Sequence, residues 1–513
     1  MRKKLALAVL SASLLLVLQA CGDKTDEAAR AAGITPVNAL ALVSVNLDPS
    51  IEQKRNLLSV ARKFPAASDR VKGEFDQTRD ELLDDLVKEA GLDFKRDVEP
   101  WLGDEVAFAL LPPDGGDEPR PVVLVQTTDE AKATAAIEKV RTSGDFEGQY
   151  RMVEGFVVIS DQSDPADEAK VLDVIEGQAK KDDGGLAGSK AFTDVVDELA
   201  GDRLILAWTD VQGLLRLAEA TSPIPGLDVT TAFKDASSVA FDFHAAKEAL
   251  VFEGVSRPFN EGKGGEPKIT EGLSEDSIGA FTFFDVASVF KQVMELVTGS
   301  GGGDGDEFAE EFRNQTGLDL QTDVLSWMEG EFVVVAGAVP EGQSFPDFGL
   351  VIEPTNMDNA KAALPKIVGS LEKSAQVQLE EREVAGATAF VVPEAFMPGI
   401  QPAMALFEDR FVLANRVEYL EELSEPASSK LGETSSYEKV VGEGSSETVA
   451  QMILRIDPIR EAVERAFLDD AEGEERSQYE TEIKPNLEPL DAFGFFARHD
   501  GKFDRFEMKI TFD

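Results

Sequence analysis

The 513-residue chain contains one cysteine, two histidines, four tyrosines and three tryptophans. A single cysteine makes no internal disulfide, iron–sulfur cluster or thiolate zinc site, and two histidines leave almost no imidazole for metal binding or catalysis. Tyrosine and tryptophan carry the polar-tipped rings that sugar and partner recognition recruits, so their scarcity disfavours carbohydrate binding. The 32 phenylalanines are read as core. Basic side chains are also few: 50 Lys and Arg against 97 Asp and Glu give a formal charge of −47 and a pI near 4.3. Such a field repels nucleic-acid phosphate and anionic headgroups, which excludes nucleic acid as a partner. Beyond the N-terminus no apolar run approaches 18 residues, so no other segment is expected to span a bilayer.

What is present begins with Arg2-Lys3-Lys4, an apolar run from Leu5 to Leu18, and then Gln19-Ala20-Cys21. The run is too short for a spanning helix, and a small residue directly before cysteine reads as a bacterial lipobox. Residues 1–20 are therefore expected to be a lipoprotein signal peptide. Cys21 is expected to take a diacylglyceryl group on Sγ, leaving its new amine open to acylation after cleavage. Two or three acyl chains hold a protein stably at a membrane where one does not. Loss of Arg2, Lys3 and Lys4 lowers the formal charge from −47 to −50, so lipid alone holds the body beside an anionic surface. Residues 21–33 are small and polar and read as a short tether.

The body reads as an internal duplication. Gly91-Leu92-Asp93-Phe94-Lys95-Arg96-Asp97-Val98 recurs as Gly317-Leu318-Asp319-Leu320-Gln321-Thr322-Asp323-Val324, with Trp101 and Trp327 at the same spacing and an offset of 226. Upstream, the segment from Ala41 resembles that from Ala280; downstream, GDEVAFALL pairs with GEFVVVAGA and VLVQTTDEAKATAAI with LVIEPTNMDNAKAAL. The expected divisions are a first α+β repeat at 34–256, a linker at 257–273 rich in Gly, Pro and Lys, and a second α+β repeat at 274–513.

An apolar strand, an aspartate and a helical pattern follow one another at Asp48, Asp210, Asp285 and Asp457, which assigns these aspartates as N-caps. Val71, Phe75, Leu82, Leu86 and Ala90 mark one stripe of a helix. Gly91 and Gly317 suit the left-handed residue after a helix. Around His499-Asp500-Gly501-Lys502, alternating aromatics and an Asp-Gly turn predict an antiparallel hairpin. The fold class expected of each half is α+β, a largely antiparallel sheet with helices packed on one face.

Candidate chemistry is thin. His244 and His499 are placed by the duplication in corresponding turns of terminal hairpins, not in a catalytic set. Ser288–Lys291 and Ser370–Lys373 match Ser-x-x-Lys, but no Lys-Thr-Gly accompanies them. Residues 301–306 (GGGDGD) with Glu307, Glu310 and Glu311 offer oxygen ligands but lack the EF-hand ladder, and Asp114, Asp117 and Glu118 read as a hairpin loop. Trp101, Trp208 and Trp327 read as core, with Trp208 placed opposite Ile456 of the other half. No catalytic, cofactor-binding or metal-ligating residue is assigned; the single site residue is Cys21, for lipidation.

The segments ALALVSVNLDPSIEQKRNLLSVARKFP and GLDFKRDVEPWLGDEVAFALL resemble an uncharacterised family of membrane-anchored bacterial extracytoplasmic proteins, defined as a domain of unknown function. The resemblance implies an anchored, outward-facing body and transfers no active site; this chain uses a lipobox where members often use an N-terminal helix. The expected function is a lipid-anchored, non-catalytic cell-envelope protein that binds an unknown envelope protein. A solute- or cation-binding lipoprotein using a cleft between the halves is the alternative, and a hydrolase relying on carboxylates alone is the third reading. The expected location is outside the cytoplasmic membrane, anchored to it or to an outer membrane.

Overall fold

The computed structural model describes residues 29–68, 75–88, 90–114, 118–143, 148–160, 164–181, 183–199, 201–221, 237–257, 263–288, 290, 305–343, 345–393, 400–442, 447–465 and 473–513. The signal segment 1–20, Cys21 and most of the tether lie outside the described residues. The chain divides into two compact units, residues 1–223 with 233–257, and residues 224–232 with 258–513. Each mixes helices with an open antiparallel sheet.

The first unit has eight described strands: β1 (Ala41–Asn46), β2 (Leu102–Leu111), β3 (Arg120–Thr127), β4 (Gln149–Val153), β5 (Phe156–Ser160), β6 (Ile205–Asp210), β7 (Ser238–Ala246) and β8 (Ala249–Ser256). Their order is β4-β5-β3-β2-β1-β6-β7-β8, every pair antiparallel. Besides a single turn at Pro65–Ser68, the first unit's described α-helices are α1 (Arg30–Ile34), α2 (Ile51–Lys63), α3 (Phe75–Lys88), α4 (Glu130–Ser143), α5 (Pro165–Ala179), α6 (Lys190–Val196) and α7 (Val211–Thr221). One sheet face packs against α5 and α6. The other carries Val125, Val157 and Ile159 against Leu83 of α3 and Ala133 and Ala136 of α4.

Helices therefore cover both faces, not one. The reason lies in β5, where Phe156, Val157 and Val158 are consecutive and all buried, the pattern of a strand with apolar cover on each side. Within α3, Leu83, Leu86 and Val87 make the inward contacts. Val71 and the side chains of Phe75 and Leu82 lie outside what is described.

The second unit has α8 (Lys268–Glu271), β9 (Gly279–Phe284), α9 (Gly305–Thr316), β10 (Glu331–Ala336), β11 (Phe348–Ile352) and α10 (Met357–Ala375). It continues with β12 (Glu380–Val384), β13 (Ala387–Val391), β14 (Ala403–Leu406), β15 (Phe411–Ala414), α11 (Val417–Glu422), α12 (Ser435–Val441), β16 (Thr448–Arg455), α13 (Ile456–Val463), β17 (Leu490–His499) and β18 (Asp504–Phe512). Strand order is β12-β13-β14-β15-β11-β10-β9-β16-β17-β18, again all antiparallel. Val333, Val335, Val351 and Ile453 pack under Leu420 of α11 and Val440 of α12. On the opposite face, Ile352 and Phe332 join Ala360 and Ala363 of α10.

Local chemistry explains the boundaries. Asp164 accepts from Ala166 N and is followed by Pro165 at the first position of α5, where a missing N–H costs nothing. The β4–β5 turn uses Glu154 and Gly155, both at positive φ, and the β12–β13 turn uses Ala385 and Gly386 likewise, the twist two-residue hairpins need. The Asp500-Gly501 hairpin forms as expected, Phe503 N donating to the Asp500 carboxylate at 3.1 Å.

Two of the four assigned caps hold: Asp210 accepts from Gly213 N at 3.0 Å and Asp285 from Ser288 N at 3.2 Å. Asp48 is not a cap, because Ser50 stands nearer the first turn and accepts from Gln53 N. Asp457 lies inside the first turn of α13 and pairs with Arg460 at 2.7 Å. The stretch read as a linker is partly built in: α8 buries Ile269 and Thr270.

Candidate functional site

Each copy of the Gly-Leu-Asp motif folds into the same fastening. Gly91 (φ 72°) and Gly317 (φ 76°) reverse the chain after α3 and α9, and a short π-helical turn follows at Phe94–Val98 and Leu320–Val324. Asp93 accepts from Arg96 N at 2.9 Å; Asp319 accepts from Gln321 N and Thr322 N at 3.1 and 2.9 Å. The amides of Asp93 and Asp319 in turn donate to Asp97 and Asp323, both at 2.9 Å. Lys139 from α4 reaches Asp97 and Lys366 from α10 reaches Asp323, each at 2.5 Å. Arg96 adds a two-pronged contact to Asp97, and these hydrogen bonds, Arg96 first, hold the Asp97 carboxyl well below the usual carboxylate range. The motif's charged groups are thus engaged in closing a turn.

A second pair was not singled out from the sequence. Glu105 and Glu331, also 226 residues apart, open the regular part of β2 and β10 with their side chains in the core. Glu105 accepts from Ser44 Oγ at 2.6 Å and from Ala31 N of α1 at 3.2 Å. Glu331 accepts from Ile269 N at 2.7 Å and from Thr270 N and Thr270 Oγ1 of α8 at 2.9 Å each. Thr270 Oγ1 is also hydrogen-bonded to Thr282 Oγ1 on β9. Burial pushes both carboxyls up, Glu331 to about 7, against the opposing pull of these bonds. The constant offset was the signal that could have found them, but a lone glutamate is inconspicuous among 97 acidic residues.

The first unit also holds a cleft of about 290 Å³. Leu47, Leu83 and Phe94 line its apolar side, and Asp48, Glu99 and Asp104 bring carboxylates to it. Arg79 lies there too, its guanidinium bonded to Asp80 at 3.1 Å.

On the second unit's sheet, α10 covers β11, β14 and β15 but leaves Phe281 on β9 and Val334 on β10 exposed, with Phe283 and Phe332 half-buried beside them. Phe281 is 40% exposed and Val334, opposite it, 44%. Phe283 stacks on Phe332, centroids 4.5 Å apart, and Phe281 lies 5.4 Å from Phe283.

The sequence candidates are scattered. His244 lies within β7 opposite Val251 and not in a turn, its Nδ1 2.7 Å from Asp242; His499 ends β17, its Nδ1 2.7 Å from Asp504. Ser288 begins a helical turn through its amide, Lys291 lies outside the described residues, and Ser370 and Lys373 sit within α10. Residues 301–304 and Asp117 lie outside the described residues; Gly305 and Asp306 begin α9. Asp114 stands 3.9 Å from Arg120. Trp101, Trp208 and Trp327 are all core; Trp208 donates to Ala191 O, while Trp101 and Trp327 donate to the carbonyls of Asp97 and Asp323. Among the described residues no three metal-ligating side chains converge, and no helix is long and apolar enough to cross a membrane.

These features define a mixed helix–strand protein with antiparallel sheets whose motif residues fasten turns. The chain belongs to a family described as protein of unknown function (DUF3352), whose model matches residues 4–494. No curated protein matches it. The solved crystal form III of TP0453 is similar at 7% identity, covering 44% of this chain and 78% of that one with a TM-score of 0.19, too weak a likeness to support any argument.

Proposed function

We propose that this is a non-catalytic lipoprotein, anchored through Cys21 on the outer side of the cytoplasmic membrane or in an outer membrane, that binds another envelope protein. The observation carrying this reading is the apolar patch on the second unit in which exposed Phe281 and Val334 adjoin the half-buried Phe283 and Phe332. Contiguous exposed apolar surface marks protein or membrane contact. A mature charge of −50 repels an anionic bilayer and leaves a protein as the occupant.

The body is further inferred to be a duplicated module. Supporting this, β1, β2, β3, β6, β7 and β8 hold the same order as β9, β10, β11, β16, β17 and β18. Leu42 pairs with Trp208 as Ala280 pairs with Ile453, so Trp208 corresponds to Ile453 and not to Ile456. The β12–β13 hairpin has no counterpart in the first unit's order.

A photo-crosslinking residue at Phe281 or Val334 tests the reading in cells. One discrete adduct, absent when the probe replaces exposed Ile51, is expected; identical patterns at all three positions overturn it. The alternative, solute or cation binding, was expected between the halves; the cleft that favours it instead lies within the first unit. A thermal-shift panel with Ca²⁺, Mg²⁺ and small polar ligands separates the two, since bound ligand raises the melting temperature by mass action.

A further inference from the structure

We infer that the apolar strip around Phe281 is the seat of one amphipathic helix from another protein, apolar along one side and basic beside it. This partner class rests on the protein-binding reading above and narrows it.

The strip follows from the strand register. Phe281 on β9 stands between Val334 on β10 and Met452 on β16, and in the next row Phe283 stands between Phe332 and Ala450. Residues directly opposite one another share a sheet face, so these six side chains make one apolar surface. None of them is buried, whereas Thr282, Val333 and Ile453 on the other face are. Phe332 joins the cluster beneath α10, so that helix borders the strip on one side.

The shape of the strip selects a helix. β9, β10 and β16 each have a strand on both sides, so no backbone edge is open to an added strand and only side chains meet the occupant. Three neighbouring strands place β10 and β16 about 10 Å apart, the width of a helix with its side chains. The corresponding face of the first unit, where Val43 pairs with Phe108 as Phe281 pairs with Val334, already carries a helix. Leu57 and Leu58 of α2 pack there with Ile205, Phe243 and Leu250.

Charge selects the sign of the partner. Asp285 follows β9, and exposed Glu329 and Glu447 stand just before β10 and β16, at the same end of the strip. Lys263, whose amide donates to Asp285, is the basic residue that approaches them. Over the whole chain 97 acidic side chains face 50 basic ones. A second copy would bring −47 against −47, whereas Lys or Arg beside a partner's apolar stripe is drawn in.

The photo-crosslinker p-benzoylphenylalanine at Phe281 of the full chain in cells, with mass-spectrometric sequencing of the attached peptide, tests this. The adduct is expected on a segment with apolar residues three and four apart and more Lys and Arg than Asp and Glu. Val334→Asp, which sets a charge beside the probe, is expected to cut the adduct about 10-fold or more, and Ile51→Asp in the first unit to leave it unchanged. The adduct's sequence in the otherwise wild-type chain decides even where Val334→Asp does not fold. A discrete adduct on another protein's acidic segment, or on one of alternating apolar residues, overturns the basic helix and leaves the protein-binding reading standing. An adduct on lipid or on a second copy of this chain overturns both, as does no adduct or the same pattern with the probe at Ile51.

Discussion

The indole N–H of Trp327 donates to the main-chain carbonyl of Asp323 at 3.1 Å, while the carboxylate of that same aspartate takes the amide of Asp319 and the ammonium of Lys366. One residue thus joins a turn, a helix and a core tryptophan. Asp323→Ala strips the acceptor from the part-buried Asp319 amide and is expected to cost about 1 to 2 kcal/mol in urea unfolding. Lys366→Met should cost less than about 1 kcal/mol, because the lysine is half exposed and its ion pair is screened. If the lysine variant is the more damaging, the fastening has been assigned to the wrong partner.

Gly317 stands at φ 76° with open space where a Cβ would project, so any penalty there comes from backbone conformation alone. Gly317→Ala is expected to destabilise by about 1 kcal/mol. Gly177 in α5 and Gly369 in α10 have equally open surroundings but no positive φ. Alanine at either should stabilise by about 0.5 to 1 kcal/mol. Equal effects at the three positions in chemical denaturation would remove the left-handed assignment from the argument.

How far the sequence carried the fold depended on whether a signal was local. Gly91 and Gly317, the Asp500-Gly501 hairpin and the core tryptophans were legible because each rests on periodicity or turn chemistry within a few residues. The cap at Ser50 was overlooked in favour of Asp48, although Ser50 stands three residues before Gln53, the spacing a capping oxygen needs. Cover on both sheet faces was hidden because β2 and β3 alternate like half-buried strands; only the unbroken Phe156-Val157-Val158 run contradicted that. Glu105 and Glu331 were illegible for another reason. Their partners Ala31, Ile269 and Thr270 act through backbone amides, which carry no residue-type signature.

Asp97 and Glu331 should give the acid and neutral limbs of stability opposite slopes. Arg96 and Lys139 hold Asp97 ionised, so its contribution is complete above the ordinary aspartate range and is lost as pH falls through about 4 and below. Glu331, raised by burial, contributes most below its unfolded value and loses that contribution as pH climbs to about 7. Melting temperatures from pH 2 to 8 should show Asp97→Asn reducing the slope of the acid limb alone and Glu331→Gln that of the neutral limb alone, the other shifted carboxyls keeping the remainder. A single variant that changes the slope of both would mean that the two groups titrate as one system.

The anchor carries the last prediction. Cys21 is the chain's one cysteine and follows an apolar run too short to span. Removal of residues 1–20, as proposed, would leave a formal charge of −50, which gives the folded body no electrostatic reason to stay at an anionic membrane. Under the proposed anchoring through Cys21, retention rests on acyl chains, at roughly 0.8 kcal/mol for each buried methylene. Cys21→Ala is accordingly expected to abolish labelling by a fatty-acid analogue and to move the protein from the membrane pellet to the soluble fraction. Unchanged labelling and pelleting would show that something other than the cysteine holds it there. Pelleting without labelling would locate the attachment in the retained apolar segment.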